Sequence, residues 1–255
     1  MQRTPRASLV RWDNKVPEIA LSFWIIKILS TTVGETAADF LAVNVGWGTG
    51  RTTALMATLL IAALVLQLRQ GRCVPWIYWL CVVLVSIVGT QITDLLTDGL
   101  NISLYLSSAV FAAALAAIFL VWWKVERTLS IHEITSRRRE LFYWGAILCT
   151  FALGTAVGDL ATEALGLGFV NGSIAFGVLI GITYAAWRLG GNAVLTFWVG
   201  YVLTRPFGAA IGDLLTQDRS YGGLGIGAAW TSAAFLLLIV SLVAVAQLRL
   251  RREAV

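Results

Sequence analysis

Seven carboxylates and two cations of this chain fall on rows that run along its apolar stretches, where a charge needs a reason. Stepping by four through those stretches gives four rows. They are Lys27, Thr31, Glu35, Asp39; Val82, Ser86, Thr90, Asp94, Asp98; Ile147, Phe151, Thr155, Asp159, Glu163; and Tyr201, Arg205, Ala209, Asp213, Gln217. Residues i and i+4 are neighbours on one helix face, so each row is a polar stripe. Glu35, Asp39, Asp94, Asp98, Asp159, Glu163 and Asp213 outnumber Lys27 and Arg205, so the acids cannot all be paired within the protein. Ionisable groups in spanning helices cost roughly 2.5–3.5 kcal/mol each and normally face an interior or wet cavity on an ion or proton path. Carboxylates with the Thr90 and Thr155 hydroxyls suit hard cations, H⁺, Mg²⁺, Ca²⁺ or Mn²⁺, with Asp39, Asp94, Asp159 and Asp213 as the metal-ligating set. A soft metal would want Cys or His, and Cys81 and Cys149 stand apart from the rows.

The rows recur because the chain repeats. Trp24, Gly34 and Asp39 have the spacing of Trp79, Gly89 and Asp94, of Trp144, Gly154 and Asp159, and of Trp198, Gly208 and Asp213. Each copy reads W-x9-G-x4-D. The residue before each Asp is small (Ala38, Thr93, Gly158, Gly212), and with the Gly four positions earlier it forms a small-xxx-small pair that lets helix backbones approach in lipid. The four Trp and four Gly are therefore assigned to packing. Solvated helix ends are the plainer account of Asp98, Glu163 and Asp218, but solvation does not require an Asp at one fixed distance from Trp and Gly.

With 58% hydrophobic and 13% charged residues, the chain is far more apolar than a soluble domain. Eight apolar stretches, near 17–42, 52–68, 75–97, 100–123, 141–164, 170–187, 191–216 and 223–247, approach or exceed the ~20 residues that cross a bilayer as helix. The fold class is an all-α membrane protein whose eight transmembrane helices form four parallel two-helix repeats, at about 17–72, 73–124, 140–189 and 190–250. Pro17 suits the first turn of helix 1, and the short linker VNVGWGTGR is expected to return helix 2 beside helix 1. Pro206 should kink helix 7. Trp122 and Trp123 read as an interfacial belt. Helices 1, 3, 5 and 7 carry the rows and belong inside.

Of the 19 Lys and Arg, 15 fall at the ends shared with the termini, and the opposite loops hold only Arg51 and Arg219. That distribution accounts for the net charge of +5 without a nucleic-acid partner, and it places both termini and residues 124–140 in the cytoplasm. Fifteen residues of helix rise about 22 Å, so with the Trp near the inner interface the repeated Asp lie toward the outer one. The N-terminal lead lacks the short apolar run and cleavage site of a signal peptide. Cys73, Cys81 and Cys149 are scattered, which implies neither a disulfide framework nor a thiolate metal site. His132 with Glu133 reads as solvated loop rather than a metal or proton site.

FWIIKILSTTVGETAAD shares Trp, TTVG and a downstream Asp with the pore loop of potassium channels, but no copy contains TVGYG and no repeat has a third, pore-forming segment. On FWIIK, TTVGETAAD, GTQITD, GTAVGD and GAAIGD, residues 17–250 more closely resemble a bacterial family of uncharacterised integral membrane proteins with four tandem two-helix repeats of unknown function, each with a characteristic Trp. The resemblance implies the fold and topology and supplies no activity. The rows themselves point to an inner-membrane cation transporter, alone or coupled to protons, whose partners are the bilayer and a small cation and whose cofactor is none beyond a hard divalent cation or proton as ligand. The reading from another class is a membrane scaffold or sensor whose acids serve helix packing. No nucleophile–base pair, HExxH or phosphate loop suggests an enzyme. Lys27 and Arg205 are expected to pair with row carboxylates as internal counter-ions, either exchangeable with a substrate cation or static.

Overall fold

Long runs of helix-forming apolar residues, punctuated by Gly, Pro, Ser and Asn, set eight helices. The computed structural model describes residues 14–253. The helices are α1 Leu21–Asp39, α2 Thr49–Arg69, α3 Pro75–Asp94, α4 Leu104–Glu126, α5 Arg137–Asp159, α6 Gly168–Arg188, α7 Ala193–Thr216 and α8 Ala228–Glu253. Arg3, Arg6 and Arg11 of the basic lead lie outside the described residues. The punctuation acts by satisfying the backbone groups that a helix end leaves orphaned. Ser103 Oγ accepts from Leu106 N at 3.3 Å, Ser136 Oγ from Arg139 N at 3.2 Å, and Asn192 Oδ1 from Val194 N and Leu195 N at 3.0 Å. Pro75 opens α3 in the first turn, where its missing N–H costs nothing. Helix α1 begins at Leu21, four residues after Pro17, so residues 17–20 are lead rather than helix.

Seven of the eight helices are long and apolar enough to cross a bilayer, and α1, which carries Lys27, Glu35 and Asp39, is the eighth. The polar stripe that lowers its apolarity is sheltered by protein. Helices α1, α3, α5 and α7 pack in a closed ring, each against the next and α7 against α1. The remaining four form an outer shell with a cyclic offset: α2 packs on α3, α4 on α5, α6 on α7 and α8 on α1. Helix α2 thus does not lie along its own hairpin partner as the short linker suggested. Its contact with the first repeat is chiefly with residues Phe40–Asn44, and its long face covers the second repeat. A short linker dictates direction of travel; the groove offered by the neighbouring inner helices decides the partner.

Glycine brings the inner ring together. A methyl group at Gly34 would strike the Ser86 side chain, and one at Gly154 would strike the stem of Arg205. At Gly89 it would stand 2.7 Å from Phe151 Cβ, and at Gly208 2.8 Å from Thr31 Cβ. All four contacts join the repeat's Gly to the residue seven after the Trp in the next repeat. Thr32 Oγ1 donates to Gly208 O at 3.0 Å and Thr93 Oγ1 to Ala152 O at 3.1 Å, adding hydrogen bonds across two of these seams.

Just past the repeated Asp, three inner helices loosen. Phe40–Asn44, Leu95–Gly99 and Leu160–Ala164 are π-helical and close with bonds five residues long, Val45 N to Phe40 O, Leu100 N to Leu95 O and Leu165 N to Leu160 O. Helix α7 stays α-helical through Asp213 and runs unbroken past Pro206. On the opposite side of the bundle, Lys15 Nζ donates to Glu140 Oε2 at 2.5 Å and Gln67 Nε2 to Glu140 Oε1 at 3.1 Å, so a buried ion pair ties the lead to α5 and α2. Trp122 is fully buried against Phe142 and Trp198, leaving Trp123 alone exposed, because α4 turns that edge toward α7 rather than to the lipid interface.

Candidate functional site

The i, i+4 stripes of the four inner helices stack into layers about 6 Å apart along the ring axis. Counted from the Trp end, where the described part of the N-terminal lead and the end of α8 lie, the first layer holds Phe23, Tyr78, Tyr143 and Phe197, the residues immediately before each Trp. Each lies against the Trp of the following repeat: Phe23 and Trp79 have centroids 5.3 Å apart, Tyr78 and Trp144 5.5 Å, Tyr143 and Trp198 6.1 Å, Phe197 and Trp24 5.6 Å. With the contacts inside each pair this makes a closed ring of eight aromatics. Tyr78 and Tyr143 are fully buried, and their hydroxyls are 2.5 Å apart. The axis is sealed here. Sequence reasoning kept the Trp and missed its neighbour, although Phe or Tyr precedes the Trp in all four copies.

One layer further in, Lys27 shares its level with Val82, Ile147 and Tyr201. Lys27 is fully buried; its Nζ donates to Thr31 Oγ1 at 3.1 Å and lies 4.1 Å from the centroid of Phe151 and 4.5 Å from that of Tyr201. The expected ion pair is not formed: among the described residues no carboxylate lies within ion-pair distance of Lys27. Glu35 is two turns away on the same helix and engages Arg205 instead. Aromatic faces take the counter-ion's place.

Arg205 is fully buried and pairs with one row carboxylate, Glu35. Its Nη2 donates to Glu35 Oε2 and to Thr155 Oγ1, each at 2.7 Å, and to Thr90 Oγ1, while Thr90 Oγ1 donates to Glu35 Oε2 at 3.4 Å. One residue from each repeat enters this knot. Glu35, Thr90 and Thr155 hold the same register position, eleven after the Trp, where the fourth repeat has Ala209. The small Ala leaves room for Arg205, one turn earlier on α7, to supply the fourth member. Its Nε and Nη1 have no hydrogen-bond partner among the described residues, and the guanidinium carbon lies 5.9 Å from the Phe151 centroid.

One turn beyond the knot come Asp39, Asp94, Asp159 and Asp213. Asp39, Asp94 and Asp159 are half-buried and Asp213 is 7% exposed, and none makes a side-chain hydrogen bond or ion pair among the described residues. They do not converge as a chelate. Among the described residues no group of three or more His, Cys, Asp and Glu could hold a metal ion, so the metal site expected from the four Asp is not assembled in this structure. Asp98 and Glu163 are exposed in the π-helical turns at the rim. Asp218 is exposed too, and its carboxyl is held below the usual range by the backbone and side chain of Ser220. His132 is exposed in a short turn.

Comparison with protein families gives one description, Repeat of Unknown Function (DUF347), matched four times, at residues 22–72, 77–128, 142–190 and 196–253. Comparison with curated proteins and with solved structures gives no match.

Proposed function

From a chain that belongs to the DUF347 repeat family, with four copies and no activity to inherit, we propose on the geometry alone that the protein moves a small cation along the axis of its inner ring. The observation that carries this reading is the Arg205–Glu35–Thr90–Thr155 knot, buried one turn below four Asp that have no ion-pair partner among the described residues. A carboxylate ring open to water concentrates cations, and a buried ion pair below it is a gate that a proton or cation can compete for. Occupancy of the ring, or protonation of Glu35, weakens the hold on Arg205. The released guanidinium then biases α7 toward another packing, which is how occupancy becomes movement. The aromatic ring at the Trp end is the second barrier in this reading, and the half-buried Asp39, Asp94 and Asp159 make the Asp end the side from which an ion would enter. The charge distribution at the loops supports a cytoplasmic Trp end and an outer Asp end.

The absence of a chelating group among the described residues favours a singly charged ion over a divalent metal. The scaffold reading has one observation of its own: two closed layers, the aromatic ring and the knot, stand in series on the axis. Reconstitution separates the two. Purified protein in proteoliposomes, tested for protons, for other monovalent cations and for divalent ions under an imposed potential, should carry flux that Glu35→Gln, Asp159→Asn and Asp213→Asn abolish while leaving insertion intact. Wild-type protein without flux for any of these ions would leave the scaffold.

A further inference from the structure

Lys27 is the buried charge that the knot does not use. It lies on the same stripe of α1 as Glu35 and Asp39, between the knot and the aromatic ring, and it has one hydroxyl, Thr31 Oγ1, and two aromatic faces for company. Its neighbours on the packed elements are Tyr201 and Arg205 from α7, Phe151 from α5, and, one layer toward the Trp end, the Tyr78–Tyr143 pair from α3 and α5. The one charged group among them is Arg205, which repels an ammonium. The Tyr201 hydroxyl is buried without a hydrogen-bond partner among the described residues.

A static structural lysine would be expected to hold a carboxylate, and Glu35 is committed elsewhere. A metal or organic cation passing this level would meet a fixed positive charge. A proton would not, because Nζ can hand its own proton on. Along α1 the stripe Asp39, Glu35, Lys27 then leads to the Tyr78–Tyr143 hydroxyl pair, with Thr31 the one non-titrating step. We propose that Lys27 is the proton carrier between Glu35 and the tyrosine pair, so that the cation moved along the axis is H⁺. In the step, an N–H bond of the Lys27 ammonium breaks and its electron pair stays on Nζ, while an O–H bond forms at one hydroxyl of the Tyr78–Tyr143 pair; that hydroxyl gives its own proton to the other tyrosine, whose O–H proton leaves to water at the Trp end, so both tyrosines stay neutral. The amine lone pair then takes the next proton from the Glu35 side, restoring the ammonium. No other reactant is consumed. This inference rests on the cation-path reading and names its ion.

The test is proton flux into proteoliposomes, driven by a potassium diffusion potential and read by an entrapped pH dye, for wild type, Lys27→Arg and Lys27→Met. Arg keeps the charge but does not deprotonate in proteins, and Met keeps the length without a titrating group. Gel filtration and thermal melting identify folded protein, and Lys27→Arg carries the test if Lys27→Met fails to fold. Both folded variants should lose proton flux by roughly 100-fold, the scale of removing a positioned proton-transfer group. Wild-type proton flux in folded Lys27→Arg, or a wild type that moves another cation and no protons, overturns the carrier while leaving the cation path standing. A wild type that moves no cation overturns both.

Discussion

Arg205 and Glu35, 170 positions apart in sequence, meet at 2.7 Å between the neighbouring helices α7 and α1 with no exposure of the arginine side chain. Taking two charges out of water is costly, and removing one partner leaves the other buried alone, at about 3–5 kcal/mol. Glu35→Gln and Arg205→Met should each lower stability on that scale in detergent. The double variant should recover much of the loss, since no uncompensated charge remains. A thermal-melting cycle of the four proteins checks it, and additive losses would mean that the pair is not coupled.

The inner seams make a second expectation. A methyl group at Gly154 meets the Arg205 stem, and one at Gly89 meets Phe151 Cβ together with Ala152 N at 3.2 Å. Gly145 lies on the same helix as Gly154 with nothing within 4 Å. Overpacking costs about 1–3 kcal/mol. Gly154→Ala and Gly89→Ala should therefore destabilise while Gly145→Ala is neutral or slightly favourable through helix propensity. Equal effects at all three positions in melting experiments would mean that the seams have room to relax.

The spacing of Trp, Gly and Asp made the repeat and the inner helices readable, because periodicity and small-residue pairs are local properties of a chain. The same spacing held the clue to the knot, with Arg205 on the row of Asp213 and Glu35 on the row of Asp39. What it did not hold is which partner each long side chain selects. Arg205 takes Glu35 because Ala209 makes room, whereas Lys27, on the same stripe as Glu35, turns to Phe151 and Tyr201. The cyclic offset of the outer helices was hidden for a related reason. Helix α2 has an apolar surface suited to several partners, and the groove beside α3 exists only after the ring has closed. The aromatic ring was within reach, since Phe23, Tyr78, Tyr143 and Phe197 all precede a Trp, but its closure is a relationship among four repeats rather than a property of any one.

Orientation gives a third expectation. Helices alternate through the bundle, so His132 and the end of α8 lie at the Trp end, while Asn101, Gly166 and Tyr221 lie at the Asp end. With the basic residues gathered at the Trp end, that side should be cytoplasmic. Single cysteines placed at His132 and at Asn101 in a background without native thiols should label oppositely with an impermeant maleimide in intact cells. Labelling of the first from outside would invert the topology and with it the direction in which the Asp ring faces.

Cys73 offers a native reporter of the aromatic ring. It lies in the turn between α2 and α3, within electrostatic reach of the Tyr78 and Tyr143 hydroxyls, and burial pushes its thiol up to about 12. Thiolate is the reactive form, so alkylation at neutral pH should be slow and should rise with each pH unit toward that value. The linkage has a definite sign. A group whose folded value is raised binds its proton more tightly in the folded protein, so its stabilising contribution is present below the unfolded value of 9.0 and lost as pH rises from there through about 12. Cys73→Ser should flatten the alkaline fall in melting temperature across that window. If transport requires the aromatic ring to part, imposing a proton gradient on wild-type proteoliposomes should accelerate maleimide labelling of Cys73 as water reaches the turn, and Glu35→Gln should suppress the acceleration. Labelling that is fast at neutral pH and indifferent to the gradient would show that Cys73 is already open to water and that the ring does not control its access.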